Sequence, residues 1–160
     1  MHAKELMTHP VVTCQLGDRL DVPARLMWEF DCGIIPVVGH EGRLEGVITD
    51  RDITMAALTQ GRRLDELRVD QAMARTLVVA HGDDPVESVE HRMAEAQVRR
   101  VPVVDDGGRP VGVVSLNDLA RLTARAGKSG VDRELVKTLA AVCKPRTASI
   151  QAAPPRRVVA

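Results

Sequence analysis

Apolar positions along the chain switch between a two-residue and a near-four-residue period, and they do so twice in the same order. A short β-branched run, Val11-Val12-Thr13, leads into a turn containing Gly17 and Asp18. Leu20, Ala24 and Met27 then recur at helical spacing. Gly33-Ile34-Ile35-Pro36-Val37-Val38 reads as a buried strand. The turn Glu41-Gly42-Arg43 joins it to Gly46-Val47-Ile48, which predicts a hairpin. A helix opens at Thr49. The second succession is Leu77-Val78-Val79, then Val86, Val89, Met93 and Ala96, then Val101-Pro102-Val103-Val104. Asp106-Gly107-Gly108-Arg109 and Gly112-Val113-Val114 complete its hairpin, and its last helix opens at Ser115. Each succession reads β-α-β-β-α, in a mixed α/β (α+β) fold. Asp18 and Asp84 are expected to cap the first helix of each copy, with Pro85 as a first helical residue and Pro23 inside a first turn.

The two successions superpose at one offset. Met7 falls on Met73, 66 residues on, and the same shift carries Val12 to Val78, Asp18 to Asp84, Met27 to Met93 and Glu29 to Glu95. Pro36-Val37-Val38 falls on Pro102-Val103-Val104, Gly46-Val47 on Gly112-Val113, Thr49 on Ser115 and Asp52 on Asp118. A gapless register over that length marks a tandem duplication. The expected organisation is a first repeat at 5–58, a polar connector at 59–72, a second repeat at 73–124, and a C-terminal helix with a flexible basic tail at 125–160. The extra amphipathic helix is expected over Asp132 to Val142.

Composition narrows the classes. With 160 residues the chain can bury about two-thirds of its surface without disulfides or metals. The 22 basic and 22 acidic side chains cancel, and Trp28 and Phe30 are the aromatic residues. Neither a polyanion-binding surface nor a platform for stacking bases is indicated. The tail cations Lys144, Arg146, Arg156 and Arg157 meet no acid after residue 143 and read as a solvated end. Cys14, Cys32 and Cys143 form no C-x-x-C pair, and the five histidines show no ligand spacing, so disulfides and structural zinc are not expected. No membrane span or signal peptide is read, and the expected location is cytoplasmic. Gly127-Lys128-Ser129 is no P-loop, because Leu122 stands where the first glycine is required. No nucleophile is followed by an oriented base, so an enzyme is not expected.

The strings G-V-I-T-D-R-D-I and G-V-V-S-L-N-D-L, each following G-I-I-P-V-V or R-R-V-P-V-V, resemble the signature of the CBS (cystathionine-beta-synthase) domain. Two copies in tandem resemble a CBS pair, or Bateman module, over residues 5 to 124. That resemblance implies two sheets packed about a pseudo-twofold axis with two clefts between the repeats. It implies adenosine ligands (AMP, ADP or ATP, with S-adenosylmethionine or NAD as further options), no required cofactor, homodimerisation, and regulation of an effector protein instead of catalysis.

Onto that pattern the residues map as follows. Thr49 with Asp52, and Ser115 with Asp118, place an acceptor-only carboxylate where a ribose diol can donate two hydrogen bonds. The same Ser/Thr-x-x-acid spacing is a helix capping box, although the shorter aspartate fits that role less well than Glu or Gln. Arg51 lies in a first helical turn, where a cation is unfavourable without an anion, and so is a phosphate candidate. Asn117 replaces it in the second copy, leaving Arg99 or Arg100 as the cation there. Ile34, Ile35 and Val101 are candidates to clamp an adenine by aliphatic contact, without aromatic rings. Thr13 matches a family hydroxyl that Val79 lacks. A CBS pair without ligand, serving as a structural or interaction module, is the alternative.

Overall fold

The β-branched runs pair into hairpins as their composition directs, and the computed structural model describes them within residues 1–126 and 129–143. The first repeat contains α1 (Ala3–Leu6), β1 (Cys14–Gln15), α2 (Asp21–Glu29), β2 (Ile34–Val38), β3 (Leu44–Thr49) and α3 (Asp50–Gln60). A 3-10 turn at Leu64–Glu66 leads to α4 (Val69–Ala72), β4 (Ala80–His81), α5 (Val86–Ala96), β5 (Arg100–Val104), β6 (Pro110–Ser115) and α6 (Leu116–Ala126). A last helix, α7, spans Ser129–Val142, starting earlier than its apolar periodicity alone indicates. Among the described residues, no helix is long and apolar enough to cross a membrane. The basic tail expected beyond Pro145 lies outside the described residues.

Each repeat forms a three-stranded sheet, ordered β1-β2-β3 and β4-β5-β6, with one parallel and one antiparallel pairing. Registers match at the repeat offset: Ile34 opposes Thr49, and Arg100 opposes Ser115. Two separate cores result. Ile35, Val37, Ile48 and Leu20 centre the first, and Val101, Val103, Val114, Val89 and Met93 the second. Every central strand residue from Ile34 to Val38 is buried, as its unbroken apolar run requires.

The repeats exchange their leading segments. Thr8 bridges Val113 of the second repeat, and Ala74 bridges Val47 of the first. His2 bridges Pro85 while Arg19 bridges Arg68, so each contact has its counterpart 66 residues on. Ala3, Leu6 and Met7 thereby pack into the second core, and Leu67, Val69 and Met73 into the first. This reciprocity is the pseudo-twofold relation. Gly46 permits it, since a Cβ there would stand 2.5 Å from the Met73 sulfur and 3.0 Å from the Ala74 carbonyl oxygen.

Three local expectations change. Residues 59–72 do not form a polar connector throughout: Leu67 and Val69 are fully buried, because this stretch delivers α4 to the first core. The opening strands begin at Cys14 and Ala80, later than the runs at 11–13 and 77–79, because those runs are crossing between the two sheets. Asp18 and Asp84 do not cap α2 and α5. They close the preceding turns, accepting from the Gln15 N–H at 2.8 Å and the His81 N–H at 2.9 Å. Pro85 is accordingly the residue before α5, with Val86 its first helical position.

Candidate functional site

Each final helix begins where a strand ends in a hydroxyl residue. Thr49 is extended, with φ −115° and ψ 164°, which turns its N–H and Oγ1 toward the third helical residue. Asp52 Oδ2 accepts from the Thr49 N–H at 2.9 Å and from Oγ1 at 2.7 Å, while the Asp52 N–H donates to Oγ1 at 3.3 Å. Ser115 and Asp118 repeat this, with the Ser115 N–H at 2.8 Å from Asp118 Oδ2 and the return bond at 3.3 Å. Both capping boxes close with aspartate. The extended residue before each helix brings its donors close enough for the shorter acid to serve.

The box uses one carboxylate oxygen and leaves the other for a second partner. In the second repeat that partner is the Arg121 guanidinium, one helical turn on, bonded to Asp118 Oδ1. Asp118 is only 3% exposed, whereas Asp52 is half-buried. Met55 stands at the position equivalent to Arg121.

Asp118 lies in the wall of a cleft of about 390 Å³ built from both repeats. The first repeat contributes the crossing segment (Thr8, Pro10, Val11 and Val12) and the entry to β2 (Phe30 to Ile34). Arg100, Val113, Ser115, Asn117, Asp118 and Arg121 come from the second. Arg100 lies across Gly33: a Cβ there would approach its Nη2 to 2.8 Å, so glycine makes room for the guanidinium. Burial raises the Cys32 thiol above its ordinary range, opposed by the Ile34 backbone hydrogen bond and by Arg100.

Of the residues singled out in the sequence, the cleft brings together Ile34, Arg100, Ser115 and Asp118. Thr49, Arg51 and Asp52 form a separate group at the start of α3, with Arg51 exposed. Thr13 is half-buried and Arg99 exposed, and neither lines this cleft. Ile35 and Val101 are fully buried, with their side chains taken up by the two cores. Phe30, one of the two aromatic residues, also lines the cleft. It arrives there because α2 ends at Glu29 and the chain reverses through Asp31 at φ 47°. Arg121 carries little signal in the sequence. The repeat alignment sets it against an apolar methionine, and only the helical spacing from Asp118 hints at their pairing.

Among the described residues no group of three His, Cys, Asp or Glu side chains could hold a metal ion. The cleft lining presents two carboxylates, Asp31 and Asp118, two guanidinium groups, Arg100 and Arg121, and an apolar wall.

The CBS domain family matches residues 3–59 and again 69–125. The CBS domain-containing protein YhcV of Bacillus subtilis is 38% identical over 117 residues, covering 73% of this chain and 81% of that one. Hypoxic response protein 1 of Mycobacterium tuberculosis is 29% identical over 143 residues, with 89% and 94% covered. L-aspartate semialdehyde sulfurtransferase of Methanocaldococcus jannaschii is 31% identical over 119 residues, but the match spans only 22% of that protein. Among solved structures, the CBS domain pair of protein MJ0100 in complex with 5′-methylthioadenosine and S-adenosyl-L-methionine superposes with a TM-score of 0.70 at 31% identity, covering 79% of this chain and 98% of that one. Two matched repeats, a reciprocal pairing of their sheets and a cleft between them lead to one conclusion: the chain belongs to the CBS-domain family and carries a tandem pair of CBS domains.

Proposed function

We propose that this CBS pair is a regulatory module that binds an adenosine nucleotide (AMP, ADP or ATP) in the cleft between its repeats and signals to a partner protein through altered packing. One observation carries the reading: a nearly buried carboxylate at a helix entrance faces a cleft that also holds Arg100 and an apolar wall from the other repeat. In this reading the ribose hydroxyls donate to Asp118, Arg100 meets phosphate, and Ile34, Val12 and Phe30 hold the adenine. Thr49, Arg51 and Asp52 would offer the equivalent groups at a second site. The adenosine-containing ligands named for the MJ0100 domain pair support the ligand class. Because both repeats build the cleft, a ligand that prefers one arrangement of the repeats shifts the population toward it. The half-buried Cys32 and exposed Cys143, both free, suit a reducing cytoplasm, where such nucleotides are abundant.

The same reading takes the active unit as a homodimer. Trp28 on α2 is 89% exposed and Leu58 on α3 is 68% exposed. The equivalent α5–α6 face is covered by α7, whose outer side leaves Val136 and Leu139 exposed. A second copy could lay the outer side of its α7 on the uncovered face, with the contact repeated about a twofold axis.

A ligand-free structural module is the second reading, favoured by the closed capping boxes. Calorimetric titration with AMP, ATP and S-adenosylmethionine decides between them. Binding whose stoichiometry falls in Asp118→Ala, and which is lost when Asp52→Ala is added, supports the nucleotide module; no heat at millimolar ligand leaves the structural one.

A further inference from the structure

The two carboxylates differ in one respect that bears on ligand choice. Within the capping boxes Asp118 and Asp52 are equivalent, but the second oxygen of Asp118 is occupied by Arg121. A ribose diol needs that oxygen, so it can dock only if the guanidinium moves away. Once displaced, Arg121 remains in the cleft lining, with 64% of its side chain exposed, and has lost the one carboxylate it is bonded to among the described residues unless the ligand brings another anion. A phosphate group replaces the lost carboxylate with a stronger, bidentate acceptor. An uncharged nucleoside cannot, and a sulfonium adds a like charge.

We propose that Arg121 is a specificity latch, which closes on Asp118 in the empty cleft and opens only for ligands that carry both a ribose diol and a phosphate. The inference rests on the nucleotide reading of this cleft and adds the rule of selection. It also separates the two sites. With Met55 in place of Arg121, the Asp52 site has no latch, and its half-buried acid is open to unphosphorylated adenosine compounds.

The test is a comparison of ATP with adenosine by calorimetry, in an Asp52→Asn background that silences the other site. With Arg121 present, adenosine should bind at least about tenfold more weakly than ATP, as expected for one charge-assisted contact. Arg121→Met installs the residue found in the first repeat, at a position exposed enough to tolerate it. It should weaken ATP binding and tighten adenosine binding, so that the preference collapses. The tightening is the diagnostic result, since loss of a simple phosphate contact would not produce it. Unchanged adenosine affinity in Arg121→Met overturns the latch while leaving the nucleotide reading intact. Unchanged ATP affinity does so too. If neither compound binds either protein, the nucleotide reading fails and the latch with it. The converse variant, Met55→Arg in an Asp118→Asn background, should shift the remaining site toward ATP.

Discussion

Asp52 and Asp118 each hold the two donors of the preceding hydroxyl residue, so each is a structural acid before any ligand arrives. A substitution at either position therefore removes a cap as well as a candidate ligand contact. Loss of such a cap costs about 1 kcal/mol, small enough that the variant should stay folded. Cys14 shows the other use of burial at this scale. Desolvation, aided by Asp18, pushes its thiol from 9.0 up to about 12. The folded state then keeps a proton that the unfolded chain releases, so stability is intact below pH 9.0 and falls as the pH rises toward about 12. Urea melts across that range should show the decline, and Cys14→Ala should flatten it. At neutral pH the exposed Cys143 should react with a thiol reagent well before Cys14 does.

At the scale of elements, the helices and strands are joined by crossings that need clearance. Gly46 lies in β3 under Met73, and Gly112 lies in β6 under Met7. A methyl group at residue 46 must displace the Ala74 carbonyl oxygen, which is backbone and has little freedom to move. Gly46→Ala should destabilise the protein by about 1–3 kcal/mol in chemical denaturation, the usual cost of overpacking. A variant as stable as the parent would show that the crossing segment yields. The short helices α1 and α4 have four residues each, and their four-residue length cannot sustain them alone. They persist because Ala3 and Val69 are fully buried in the core of the opposite repeat.

On the scale of the whole molecule, two copies of one unit have diverged in what covers them. The second repeat carries α7 across α5 and α6, with Leu135 and Val142 inside its core and the Gln97 side chain donating to the Ala141 carbonyl at 3.2 Å. The first repeat leaves Trp28 and Leu58 in solvent. If a second copy covers them, Trp28→Glu should convert the dimer into monomer in a native mass spectrum, with little change in the thermal melt of each protomer. A dimer that survives this change places the interface elsewhere.

Duplication, the β-α-β-β-α order and the family were legible from the residues alone, because a repeated pattern of apolar period and turn residues is a local property. So were the two hydroxyl-acid pairs, since the box spans three residues. What only the folded chain decided was partnership across the repeats. Ile34 is close in sequence to Thr49 and Asp52, yet it shares a cleft with Ser115 and Asp118, because the leading segments cross between the sheets. Ile35 and Val101 have the same composition as a ligand wall and are spent on the cores. Phe30 and Arg121 join the cleft through a chain reversal and a helical turn, whose directions depend on packing that no single stretch of sequence contains.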